Sequence, residues 1–93
     1  MFDRISKLVE KIPLQAGEAM LVSSSINRRY LSGFKASDGL IFITPEESYF
    51  LVDFRYYGTA KKQIKGLHVI LSSDFKADLL KIARKHRVKI VLI

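Results

Sequence analysis

Two histidines, one pair of adjacent carboxylates and a run of three serines are the side chains here whose types could carry reaction chemistry. None has the spacing that chemistry needs. His68 and His86 lack the i, i+4 separation that would bring two imidazoles to one metal ion. His68 opens a predicted strand and shows no partner, while His86 sits near a predicted helix carboxy terminus, where the dipole favours an imidazolium. Glu46 and Glu47 fall in a predicted turn, where solvation accounts for them better than paired acid–base work. Ser23, Ser24 and Ser25 lack the Gly-x-Ser-x-Gly surround of a nucleophile elbow and have no visible base. Gly33 and Gly39 are too far apart for a Gly-rich phosphate fingerprint. With no cysteine, thiolate ligands and thiol nucleophiles are excluded and a reducing compartment fits. The expectation is that this chain holds neither a catalytic residue nor a metal ligand set.

Recognition chemistry is better represented. Asn27 to Leu31 can form one helical turn closed by Gly33. A loop follows that presents Phe34, Lys35, Ser37 and Asp38 and ends at Gly39. Further on, Asp53 can cap a helix whose first turn carries Arg55 and Tyr56. Loop chemistry held out on a rigid sheet suits binding.

The elements that must position these residues follow from periodicity. Ile5, Leu8, Val9 and Ile12 line one face of a first helix that Pro13 ends. Residues 19–22 make a short buried strand, and residues 39–44 and 49–52 a hairpin turned at Pro45. Tyr56, Tyr57, Ala60 and Ile64 mark a helix with Gly66 suited to its carboxy-terminal cap. Residues 67–71 form a strand, and Ser73 or Asp74 caps a helix with Phe75, Leu79, Ile82 and Ala83 on its apolar face. The last run, residues 88–93, is apolar at five of six positions, the pattern of a strand covered on both faces. A hairpin followed by βαβ units predicts a mixed five-stranded sheet with flanking helices, an α/β domain. Ending on such a strand suggests either a truncated chain or a partner that covers it.

At 93 residues one core is available, not two. No apolar stretch approaches the roughly 20 residues of a membrane span, and the amino terminus has no secretory pattern, so the expected location is cytoplasmic. The net charge of +7 is lopsided: residues 1–53 carry −1 and residues 54–93 carry +8. A small basic nucleic-acid-binding module is therefore the alternative function, although solvated faces of two amphipathic helices explain the lysines more simply.

The run Asn27-x-x-Tyr30-Leu31-Ser32-Gly33-Phe34, with Ser37-Asp38-Gly39 and Asp53-x-Arg55-Tyr56, resembles the amino-terminal domain of Xaa-Pro peptidases, the prolidase, aminopeptidase P and creatinase family. There the pattern is approximately Asn-Ile-x-Tyr-Leu-Thr-Gly-Phe, a Gly-Ser-x-Gly-like loop, and Asp-x-Arg-Tyr before a helix. The resemblance spans essentially the whole chain. Two positions depart from it: Arg28 stands where a smaller apolar residue is common, and Ala36 replaces the usual loop Gly.

The resemblance implies a ribonuclease H-like fold and a non-catalytic domain, 1–93, of a metallopeptidase whose pita-bread catalytic domain, with its two divalent ions (Mn, Co or Zn), is absent from this chain. It implies a homo-oligomer, a dimer, in which the domain gates the partner subunit's active site toward proline-containing peptides. Carried onto this chain, the gating loop is Phe34, Lys35, Ser37, Asp38 and Gly39, with Phe34 an apolar wall and Lys35 and Asp38 charges near the ends of the peptide. Asp53, Arg55 and Tyr56 brace the corner behind it. A core-anchor role for Phe34 is an equal alternative.

Overall fold

The computed structural model describes residues 14–34, 38–64 and 67–92. The first predicted helix, Lys35, Ser37 and the expected cap Gly66 lie outside the described residues. Within them the chain runs β1 (Glu18–Val22), α1 (Ser25–Ser32), β2 (Leu40–Ile43), β3 (Ser48–Val52), α2 (Phe54–Gln63), β4 (His68–Leu71), α3 (Phe75–Lys85) and β5 (Ile90–Leu92).

Strict alternation along the strands sends successive side chains to opposite sheet faces, and both faces are buried. Ile41, Ile43, Phe50 and Val52 point to one side, where Ala60 and Ile64 at the end of α2 and Phe34 after α1 cover them. Ala19, Phe42, Tyr49 and Leu51 point to the other, under Ile82 of α3. Phe42 and Phe50, 1% and 0% exposed on neighbouring strands, anchor opposite faces. Burying each contributes roughly 1.5–3 kcal/mol.

β2 pairs antiparallel with β1 and β3, whereas β4 and β5 run parallel to β3 and β1, so β2 alone opposes the other four strands. The sheet therefore has two distinct ends. At one lie the carboxyl ends of β1, β3 and β4 with the starts of all three helices. At the other lie the β2–β3 turn and the carboxy terminus of α3.

The five-stranded expectation is corrected at its last strand. The body of the sheet is the four-stranded set β1–β4 with three helices, and the carboxy-terminal run pairs only as a three-residue strand, Ile90–Leu92, at the edge outside β1. The run is not covered on both faces, since Val91 is 45% exposed. The reason lies in how α3 ends. Arg87 takes a left-handed turn at φ 54°, Val88 packs back against the α3 side of the core, and the Lys89 amide donates to the Gly17 carbonyl. Val88 and Lys89, the first two positions of the run, are thereby used in the turn, and the composition of the run could not reveal this.

Local chemistry explains the element boundaries. Ser24 caps α1 by accepting from the Asn27 amide at 3.4 Å, so the serine run starts a helix, and that helix extends to eight residues rather than a single turn. Asp74 caps α3 through the Ala77 amide at 3.1 Å. Thr44 holds the β2–β3 turn: its hydroxyl donates to the Glu47 carbonyl at 2.6 Å and accepts from the Glu47 amide at 3.0 Å. Among the described residues no helix is long and apolar enough to cross a membrane.

Candidate functional site

The loop between α1 and β2 begins on a rigid support. Gly33, at φ 72°, closes α1 with its amide donating to the Arg29 carbonyl at 2.8 Å. Ser32 Oγ donates to the Arg28 carbonyl at 2.6 Å and accepts from the Phe34 amide at 3.1 Å, turning the chain inward. Phe34 is then 7% exposed and makes edge contacts with Phe50, at 6.4 Å between ring centres, and with Tyr56, at 6.3 Å. These contacts are those of an anchor that pins the start of the loop to the core.

The far end of the loop is fastened electrostatically. Asp53 caps α2 by accepting from the Arg55 amide at 2.9 Å, and the Arg55 guanidinium folds back onto the same carboxylate, Nη2 to Oδ2 at 2.6 Å and Nε to Oδ2 at 3.1 Å. The same Nη2 reaches Asp38 Oδ2 at 3.5 Å. Arg55 also lies 5.1 Å above the Tyr56 ring. The hydrogen bonds from Arg55 hold the Asp53 carboxyl below the usual carboxylate range, and the same pairing raises the guanidinium. Gly39 lets β2 begin beside this corner. At φ 150° its missing Cβ would stand 2.8 Å from Phe50 Cε1 and 3.0 Å from the Leu51 carbonyl.

The structure thus brings Phe34, Asp38, Gly39, Asp53, Arg55 and Tyr56 together at one end of the sheet. Phe34 and Tyr56 face inward, and the Asp38 carboxylate, with 69% of its side chain exposed, faces solvent. Among the described residues this corner carries two carboxylates, Asp38 and Asp53, and one guanidinium, Arg55. Exposed Phe54 and Leu71 border it, lining a shallow cavity with Asp53, Ser72 and Phe75.

The other sequence candidates are placed elsewhere. His68 finds a partner the sequence did not show, Glu47 Oε2 at 2.8 Å across the turn. His86 Nε2 lies 2.6 Å from the Tyr49 hydroxyl, a pairing between residues 37 positions apart with no local signal. Arg28 is buried, 5% exposed, with Nη1 donating to the Ser23 carbonyl. Its departure from the family pattern was the only sequence sign that it is unusual. Among the described residues no group of three or more His, Cys, Asp or Glu could hold a metal ion.

Comparison with known proteins agrees with this architecture. Residues 4–91 match the family model of the creatinase/prolidase N-terminal domain. A stretch of 53 residues is 43% identical to an uncharacterized peptidase, YqhT, of Bacillus subtilis (strain 168), covering 57% of this chain and 15% of that protein. The fold superposes on an Xaa-Pro aminopeptidase (aminopeptidase P) from Streptococcus thermophilus with a TM-score of 0.80 and 28% identity, over 95% of this chain and 66% of the other. It also superposes on the N-terminal domain of cytoplasmic peptidase PepQ from Mycobacterium tuberculosis H37Rv, at a TM-score of 0.63 and 22% identity, covering 98% and 90% of the two chains. The match to the family model runs from before β1 into β5, through the anchored loop and the Asp53–Arg55 corner, and on that basis the chain belongs to the creatinase/prolidase N-terminal domain family.

Proposed function

We propose that this chain serves as the non-catalytic amino-terminal domain of a cytoplasmic Xaa-Pro metallopeptidase, an aminopeptidase P or prolidase, which it helps to oligomerise and whose substrate entry it helps to control. The supporting observation is the loop between α1 and β2, anchored by Phe34 at one end and fastened through Asp38 and Arg55 at the other. Such a loop can present Lys35, Ser37 and Asp38 at a site completed by another polypeptide region, a partner subunit of a dimer. Asp38 would meet the charged or amide end of a proline-containing peptide. Two divalent ions, Mn, Co or Zn, belong in this reading to a separate catalytic domain.

The nucleic-acid alternative loses ground on geometry. α2 and α3 cover opposite faces of the sheet, so Lys61 and Lys62 of one helix lie across the sheet from Lys76, Lys81, Arg84 and Lys85 of the other. Lys61 is moreover engaged with Tyr57, donating to its hydroxyl at 3.0 Å.

The test has two arms. The purified 93-residue chain should hydrolyse no Xaa-Pro dipeptide or longer Xaa-Pro peptide with Mn, Co or Zn added; turnover abolished by a substitution in the chain itself would refute the reading. In the full-length parent, Asp38→Asn should change KM for Xaa-Pro peptides while leaving oligomeric state by light scattering unaltered. An unchanged KM would remove the gating role.

A further inference from the structure

At the end of the sheet away from the corner, three elements meet through titratable side chains. Tyr49 on β3 is 4% exposed and places its hydroxyl 2.6 Å from Nε2 of His86, the carboxy-terminal cap of α3. Its ring contacts both imidazoles, at 5.6 Å from His86 and 5.5 Å from His68 of β4. The β2–β3 turn faces this trio with two carboxylates. Glu47 reaches His68 Nε2 at 2.8 Å and Lys85 Nζ at 3.8 Å, and Glu46 stands 4.0 Å from His86 Nδ1. The His86 side chain is only 7% exposed.

We infer that these groups form a proton-operated clamp: charging His68 and His86 fastens the turn at Glu46 and Glu47 to β4 and α3, and discharging them slackens it. When Nε2 of a neutral His86 accepts from the Tyr49 hydroxyl, the single imidazole proton sits on Nδ1, the nitrogen nearest Glu46. Protonation makes both nitrogens donors. The tyrosine oxygen becomes the acceptor, its own proton turns to Glu47, and the contacts to both carboxylates become ion pairs. The surrounding charges act in both directions. Glu46 and Glu47 face the imidazoles from the turn, and the cations Arg84, Lys85 and Arg87 stand beside His86 in the chain. Burial, with Glu47 and Glu46 nearby, raises the Tyr49 phenol, so this group remains protonated while imidazoles titrate. At the other end of the sheet, the lowered Asp53 carboxyl remains ionised over the same range.

Amide hydrogen exchange of the 93-residue chain, corrected for intrinsic rates, tests this between pH 5 and 8, the range in which imidazole changes charge. The reporters are the Thr44 and Glu47 amides, both bonded within the turn. Their protection should fall about threefold as the pH rises, the effect expected of exposed or half-exposed ion pairs. The Arg55 amide, bonded to Asp53, should not change. Glu46→Gln with Glu47→Gln should flatten the dependence, and His68→Gln, on the exposed edge strand, should remove part of it. Protection that is level with pH, that falls equally at Arg55, or that keeps its dependence in the double variant overturns the clamp.

Discussion

The two ends of the sheet are held in different ways. At the corner end, the Asp53–Arg55 fork joins residues two apart and is closed by a guanidinium that stays charged at any physiological pH. At the turn end, Tyr49, His68 and His86 with Glu46 and Glu47 join β3, β4, α3 and the β2–β3 turn through two imidazoles, a phenol and two carboxylates. The fork at the first end is local in sequence and keeps its charges across the neutral range. The other is assembled from distant segments, and the clamp inferred above would make it answer to protons. The loop between α1 and β2 is held at the first end, by this fork through Asp38 and by the contacts of Phe34 with Phe50 and Tyr56.

The strongest way to break this contrast is to unfasten the corner from the core. Phe34→Ala should destabilise the domain by about 3–5 kcal/mol, as for other buried phenylalanines, measured by urea unfolding. A loss below about 1 kcal/mol would show that the ring is not an anchor. At the turn end, Tyr49→Phe keeps the ring contacts and deletes the hydroxyl facing His86 Nε2, so about 1 kcal/mol should be lost in the same assay. The smallest effect sharpens the comparison most. Asp53→Asn keeps a capping side chain but removes the ionised partner of Arg55. A carboxyl whose folded pKa is depressed contributes stability that is complete above the unfolded value and is lost as the pH falls through the folded one. The margin of the native chain over Asp53→Asn should therefore be flat from about pH 8 to 5 and close in acid. A margin that varies between pH 5 and 8 would mean that the corner, too, responds to imidazoles.

What was legible in the sequence follows the same division. Short continuous apolar runs placed β1, β2 and β3, and the capping roles of Asp53 and of Ser73 or Asp74 could be read because donor and acceptor lie within three positions. Glu47 with His68, and Tyr49 with His86, could not, since their meeting depends on how β4 and α3 dock on the sheet. The final apolar run misled for a related reason. Apolar composition reports a tendency to be buried, whereas the number of paired residues was decided by the left-handed turn at Arg87. For α2, the end observed is Ile64, whose amide donates to the Ala60 carbonyl; the expected cap at Gly66 lies outside the described residues.

Helices of this chain already pack against either side of its sheet, α3 on one and α2 on the other. A companion polypeptide therefore meets no broad apolar floor among the described strands. It has to grip the perimeter: the outer strands, the backs of the helices, or the tips where loops emerge. Contacts of that sort are small and shaped by individual side chains, so whatever associates with this domain is selected by a few rim residues rather than by total greasy area.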